Sequence, residues 1–126
     1  MNVKNISDLL SIVETKQKID QKHDWSNGSS TYFQEMKKEI EEVGEELNSG
    51  RQCYLEDELG DVFWDYLNLL HNLENEGKIS LAKVFERALQ KYTERIDAIS
   101  TGSTWASIKE KQKKKLASEF EMSKKF

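Results

Sequence analysis

Apolar side chains recur at intervals of three and four residues along almost the whole chain, and no stretch alternates with period two for long enough to make a strand. Ile6, Leu9, Leu10, Ile12, Val13 and Ile19 predict a helix over residues 5–21. Phe33, Met36, Ile40, Val43 and Leu47 predict a second, opened by a capping box of Thr31 and Gln34 and closed at Asn48, Ser49 and Gly50. Leu55, Leu59, Val62, Phe63, Tyr66, Leu67, Leu70 and Leu73 predict a third over residues 51–75, stopping at Gly77. A fourth, capped by Ser80, carries Val84, Phe85, Leu89, Tyr92, Ile96 and Ile99. Residues 100–103 interrupt it, and a shorter helical piece from about Thr104 fades into a tail with Lys111, Lys113, Lys114 and Lys115.

The 126 residues include no proline and only six glycines, which suits helices joined by short connections. The expectation is an all-α chain, four-helix bundle-like, with antiparallel helices and short loops. One domain is expected over residues 1–110, with a lysine-rich tail over 111–126. A hydrophobic fraction of 37% against a charged fraction of 33% is polar for a compact monomer, so a partner chain is expected to complete part of the core.

The formal net charge of −4 argues against nucleic acid as a partner. The single Cys53 cannot form an internal disulfide and is a poor start for a zinc site. No apolar run approaches the ~20 residues of a membrane span, and residues 1–8 lack the apolar segment of a signal peptide. The expected setting is cytoplasmic, away from any membrane.

Two predicted helices carry acids three residues apart: Glu42 with Glu45, and Glu58 with Asp61. Such pairs lie on one helix face, and antiparallel packing brings the two pairs level. Four carboxylates in one place repel unless cations neutralise them, and all-oxygen ligands favour magnesium or manganese over zinc. Spacing alone describes a solvated acidic face equally well. On the helical wheel, Glu42 and Glu45 fall outside the apolar stripe of Ile40, Val43, Gly44 and Leu47. A site there needs a second apolar face or a second subunit to enclose it. Gly44 and Gly60 lie beside the acid pairs and could let the two helices approach closely, or could be ordinary packing glycines.

Glu41-Glu42-Val43-Gly44-Glu45 followed by Glu58-Leu59-Gly60-Asp61 resembles the EExxE…ExxD signature of MazG-like nucleoside triphosphate pyrophosphohydrolases, an all-α superfamily. Lys91-Tyr92-Thr93-Glu94-Arg95 is similar to that family's KxxxR element, and Trp105-Ala106-Ser107-Ile108-Lys109 to its WxxxK element. Trp25 resembles the tryptophan often found before the acidic helix. The resemblance spans roughly residues 5–110.

It implies magnesium-dependent hydrolysis of nucleoside triphosphates, dNTPs among them, to nucleoside monophosphate and pyrophosphate, as nucleotide-pool house-cleaning. It also implies a homodimer or a dimer-of-dimers homotetramer. Glu42, Glu45, Glu58 and Asp61 become the metal ligands, with Mn²⁺ a possible substitute for Mg²⁺. Glu41 becomes the group that orients or deprotonates the water, with a surface ion pair to Lys37 or Lys38 as its plainer alternative. Lys91, Arg95 and Lys109 are assigned to phosphate, Trp105 to the substrate or the subunit interface, and Trp25 and His23 to the base. Asp65, one turn past Asp61, is a supporting acid. The alternatives are a dUTPase- or dCTPase-type pyrophosphatase of the same superfamily, a non-catalytic helical interaction module, and a basic-tailed nucleic-acid binder.

Overall fold

The computed structural model describes residues 1–22 and 28–125. His23 and Trp25, both assigned to the base, lie outside the described residues. Among those described there are five α-helices and no strand: α1 (Val3–Asp20), α2 (Ser29–Glu46), α3 (Gln52–Asn75), α4 (Leu81–Ser100) and α5 (Trp105–Ser123). The all-α expectation holds. Gly50, Gly77 and Gly102 follow α2, α3 and α4 with φ of +74°, +76° and +92°, the left-handed conformation that ends a helix and that glycine adopts without steric cost.

Contacts cluster into two compact units, residues 1–81 and 82–126. In the first, α3 packs on both α1 and α2. Its core is small: Val13 from α1, Tyr32 from α2, and Leu67 and Leu70 from α3. Burying each such aliphatic side chain is worth about 1.5–3 kcal/mol. Polar side chains add hydrogen bonds between and within these helices. Gln17 Nε2 donates to Asn68 Oδ1 at 3.2 Å, and Asn68 Nδ2 donates to the Trp64 carbonyl at 2.9 Å. Tyr32 donates its hydroxyl to Asp20 at 2.5 Å, and Asp20 also pairs with Lys16.

Helix α2 starts earlier than its sequence signals predict. Thr31 is already inside the helix, and Gly28 is the N-cap residue with no side-chain cap of its own. The cap comes from the far end of α3: the Ser29 N–H and hydroxyl donate to Glu76 Oε2 and Oε1, each at 2.8 Å. A carboxylate there meets both the unpaired amides and the positive end of the helix dipole. Gly28 makes room for it, since a Cβ at that position would sit 2.8 Å from Glu76 Oε2. This contact sets the start of α2 beside the end of α3, so the two helices run antiparallel.

Two further expectations are corrected. The predicted apolar stripe of α2 is only partly covered: Met36 and Val43 are half-buried, while Ile40 is 54% exposed and Leu47 60%. The less exposed positions in the body of the helix are Tyr32, Glu35, Met36, Glu39, Val43 and Glu46, so acids share the covered face with apolar residues. Gly44 and Gly60 are not close-approach glycines, because a Cβ at either would meet nothing within 4 Å.

In the second unit α5 is longer than predicted. Thr104 caps it by accepting from the Ser107 N–H at 3.0 Å, and it continues through the lysine cluster to Ser123. With no proline or glycine between 105 and 123, nothing in the sequence stops it. Two side-chain bridges tie it to α4. Arg87 holds Glu119 through two bonds of 3.0 and 2.5 Å, and Arg95 Nε donates to Gln112 Oε1 at 2.8 Å.

Candidate active site

The antiparallel α2–α3 pair brings Glu39 level with Glu58 and Asp61, and one carboxylate oxygen from each lies within 4.8 Å of the others. Glu42, three residues after Glu39, lies beside Glu39 and Glu58 and raises the proton affinity of both. Carboxylates crowded together hold their protons more tightly. Burial, then contact with Glu42, then the nearby Glu58 and Asp61, push Glu39 up to about 8. Contact with Glu42 and then burial raise Glu58. Burial, then the charges of Asp57 and Glu42, raise Asp61.

Glu39 Oε2 and Glu58 Oε2 are shielded from solvent with no hydrogen-bond donor against them. Shielded carboxylate oxygens without a donor are costly unless a cation meets them. The donor set is all oxygen and suits a hard divalent ion such as magnesium or manganese. These residues could therefore hold the metal that the sequence motif implies.

The structure thus brings together three of the four acids assigned to metal, Glu42, Glu58 and Asp61, and adds Glu39. Glu45 lies one turn further along α2, exposed and outside the group of Glu39, Glu58 and Asp61. Glu41 is also exposed and outside it. Of the two plainer partners considered for Glu41, Lys38 pairs with Glu35 at 3.2 Å and Lys37 lies 4.8 Å from the Phe33 ring centre. Glu39 was legible in principle: positions 39, 42 and 45 repeat the i, i+3 interval that singled out the pairs.

The acidic string continues one turn along both helices. Glu35 precedes Glu39 by four residues and Asp65 follows Asp61 by four. With Thr31, Tyr32 and Trp64 they line an open recess of about 370 Å³, at the low end of the range of roughly 300–1,000 Å³ found for small-molecule sites. Asp65 is only 7% exposed, and its Oδ2 has neither solvent nor donor. Burial, then the charges of Glu35 and Asp61, push Asp65 up to about 6.

The second unit holds the cationic residues assigned to substrate. Lys91 and Arg95 are one turn apart on α4, and Trp105 and Lys109 one turn apart on α5. Arg95 is 7% exposed, while Lys91 and Lys109 are open to solvent. The Arg95 guanidinium carbon lies 5.1 Å from the ring centres of both Tyr92 and Trp105, and those rings are 6.4 Å apart. Gln112, which the sequence places in the tail, is the hydrogen-bond partner of Arg95.

Residues 27–100 match the family model described as the MazG nucleotide pyrophosphohydrolase domain. The chain belongs to this family. The match spans more than half of the chain and contains every acid of the cluster together with Lys91 and Arg95. No curated protein and no solved structure matches the chain. Membership in the MazG family carries nucleotide pyrophosphohydrolase chemistry in general, a hydrolase reaction. No helix among the described residues is long and apolar enough to cross a membrane.

Proposed function

We propose that this MazG-family chain hydrolyses nucleoside triphosphates, dNTPs among them, to nucleoside monophosphate and pyrophosphate in the presence of magnesium, as a nucleotide-pool house-cleaning enzyme of the cytoplasm. The observation that carries this reading is the convergence of Glu39, Glu42, Glu58 and Asp61, with two carboxylate oxygens shielded and without a donor.

Glu39, Glu42, Glu58 and Asp61 hold the cation, and Glu45 joins them by rotation of its exposed side chain from the adjacent turn. Magnesium, when bound, supplies positive charge to the phosphate oxygens and a more acidic water. Glu41 orients or deprotonates the attacking water. The water oxygen bonds to one phosphorus of the α–β bridge, the bridging P–O bond breaks, and a proton leaves to solvent. Lys91, Arg95 and Lys109 bind phosphate oxygens, and Trp105 covers the substrate. The recess beside Asp65 and Trp64 takes the nucleoside end, since two carboxylates in its wall disfavour phosphate.

The working state is a homodimer or a dimer of dimers. Apolar residues left open support it: Ile40 and Leu47 on α2, and Phe85, Leu89 and Ile96 on α4, with Leu89 72% exposed. Self-association buries such faces and completes a core too small for the chain alone.

The test is a panel of NTPs and dNTPs incubated with the purified chain and magnesium, with products separated by anion exchange. Monophosphate and pyrophosphate in equal amounts support the reaction. Release of orthophosphate as the first product contradicts it.

A further inference from the structure

Helix α5 lies beyond residue 100, where the family match ends, yet it supplies the partner of Arg95, the most buried cation among the described residues. Arg95 uses its Nε–H on Gln112 Oε1. Gln112 is itself fixed by two donations from Nε2, to the Lys91 carbonyl at 2.9 Å and to Glu94 Oε2 at 3.1 Å. The Tyr92 and Trp105 rings flank the guanidinium. Its two terminal amino groups have no acceptor among the described residues and are not fully shielded from solvent.

The choice of an amide matters. Nearby on the same two helices, Arg87 is matched by a carboxylate, Glu119, through two bonds that cancel its charge. At Arg95 the partner is neutral, and no carboxylate lies within ion-pair distance among the described residues. A neutral acceptor fixes the plane of a guanidinium without cancelling its charge, and leaves the two-pronged edge that matches a phosphate. A cation that buried and unneutralised suits an anionic ligand better than a purely structural role.

We propose that Gln112 is a positioning residue: it orients the Arg95 guanidinium, with its charge uncancelled, to grip a polyphosphate. Only the identity of the polyphosphate as a nucleotide rests on the pyrophosphohydrolase reading.

The experiment measures binding of inorganic tripolyphosphate with magnesium to the full chain by calorimetry, with thermal midpoints and NTP hydrolysis recorded on the same samples. Gln112→Leu is expected to weaken binding about tenfold, the effect of misaligning one charge-assisted contact. Gln112→Glu keeps the side-chain shape but turns a donor to the Lys91 carbonyl and Glu94 into an acceptor; its carboxylate also neutralises Arg95, and binding is expected to weaken at least as much. In an Arg95→Met background, Gln112→Leu is expected to change affinity by less than about twofold, because both act through one contact. A merely structural Gln112 lowers the thermal midpoint but leaves tripolyphosphate affinity intact. The proposal is overturned if both Gln112 variants bind tripolyphosphate like wild type, or if the Gln112→Leu effect persists in full without Arg95. Absence of NTP hydrolysis alongside Gln112-dependent tripolyphosphate binding overturns the pyrophosphohydrolase reading and leaves this one standing.

Discussion

Glu39 of α2 stands against Glu58 of α3, each with its Oε2 shielded from solvent and without a hydrogen-bond donor. The pair sits where the two helices are held by their antiparallel packing, so neither carboxylate can easily withdraw. Replacing Glu39 with glutamine keeps the shape and removes one charge. Magnesium affinity is expected to fall on the order of tenfold or more, within the range seen when a partner in a metal site is lost. Calorimetric titration of Mg²⁺ or Mn²⁺ into wild type and Glu39→Gln checks this; equal affinities would remove Glu39 from the site.

The raised carboxyls make metal-free stability depend on pH with a definite sign. Glu39 titrates at about 8 instead of 4.5, and Asp65 at about 6 instead of 3.8, so the folded chain binds more protons than the unfolded one between those limits. Stability from these groups therefore falls as pH rises from about 4 to about 8. Thermal melts in EDTA across this range are expected to show a decline that Glu39→Gln reduces and magnesium reverses at the alkaline end. An unchanged difference between wild type and Glu39→Gln at pH 5 and pH 8 would contradict the raised proton affinity of Glu39.

Asp65 offers a separate handle one turn along. Asp65→Asn removes a buried charge that has no donor at Oδ2. The metal-free variant is expected to melt at a higher temperature than wild type above pH 6, with little difference at pH 4. If the recess takes the base, the ranking of nucleotide substrates changes as well, which kcat/KM across the four bases reports. A variant with the wild-type melt at every pH and the wild-type ranking would leave Asp65 with neither role.

Much of this was legible in the sequence, for identifiable reasons. Helix periods and glycine stops placed the elements because Gly50, Gly77 and Gly102 do what chain reversal after a helix requires. Three of the four assigned acids met because i, i+3 pairs on antiparallel neighbours must do so once the register is right. What failed was part of the covered face of α2, where Met36 and Val43 are half-buried as expected but Ile40 and Leu47 are not. Ile40 and Leu47 looked like its inner face by hydrophobicity alone, whereas Tyr32, Glu35 and Glu39 turn toward α3. A wheel cannot show that acids face inward when they converge on acids of another helix. The Glu76 cap on Ser29 and the Gln112 bond to Arg95 were also out of reach, since each joins positions distant in sequence or outside the expected domain.

The Glu76 cap can be weighed directly. Glu76→Ala removes the acceptor of both Ser29 donors at the start of α2, and cap losses of this kind cost about 1 kcal/mol. Urea unfolding is expected to show a lower midpoint with an unchanged slope. A midpoint equal to wild type would mean that water replaces the carboxylate at no cost.

The most direct test of the central claim, that the α2–α3 carboxylates hold the ion that drives triphosphate hydrolysis, is to follow metal binding and turnover together in wild type and Glu58→Gln. Wild type is expected to bind Mn²⁺ or Mg²⁺ and to form monophosphate and pyrophosphate only when the metal is present. Glu58→Gln is expected to lose both, with turnover down by a hundredfold or more, on the order of the loss when an electrostatic element of an active site is removed. Wild-type turnover in Glu58→Gln, or undiminished hydrolysis in EDTA, would contradict the account.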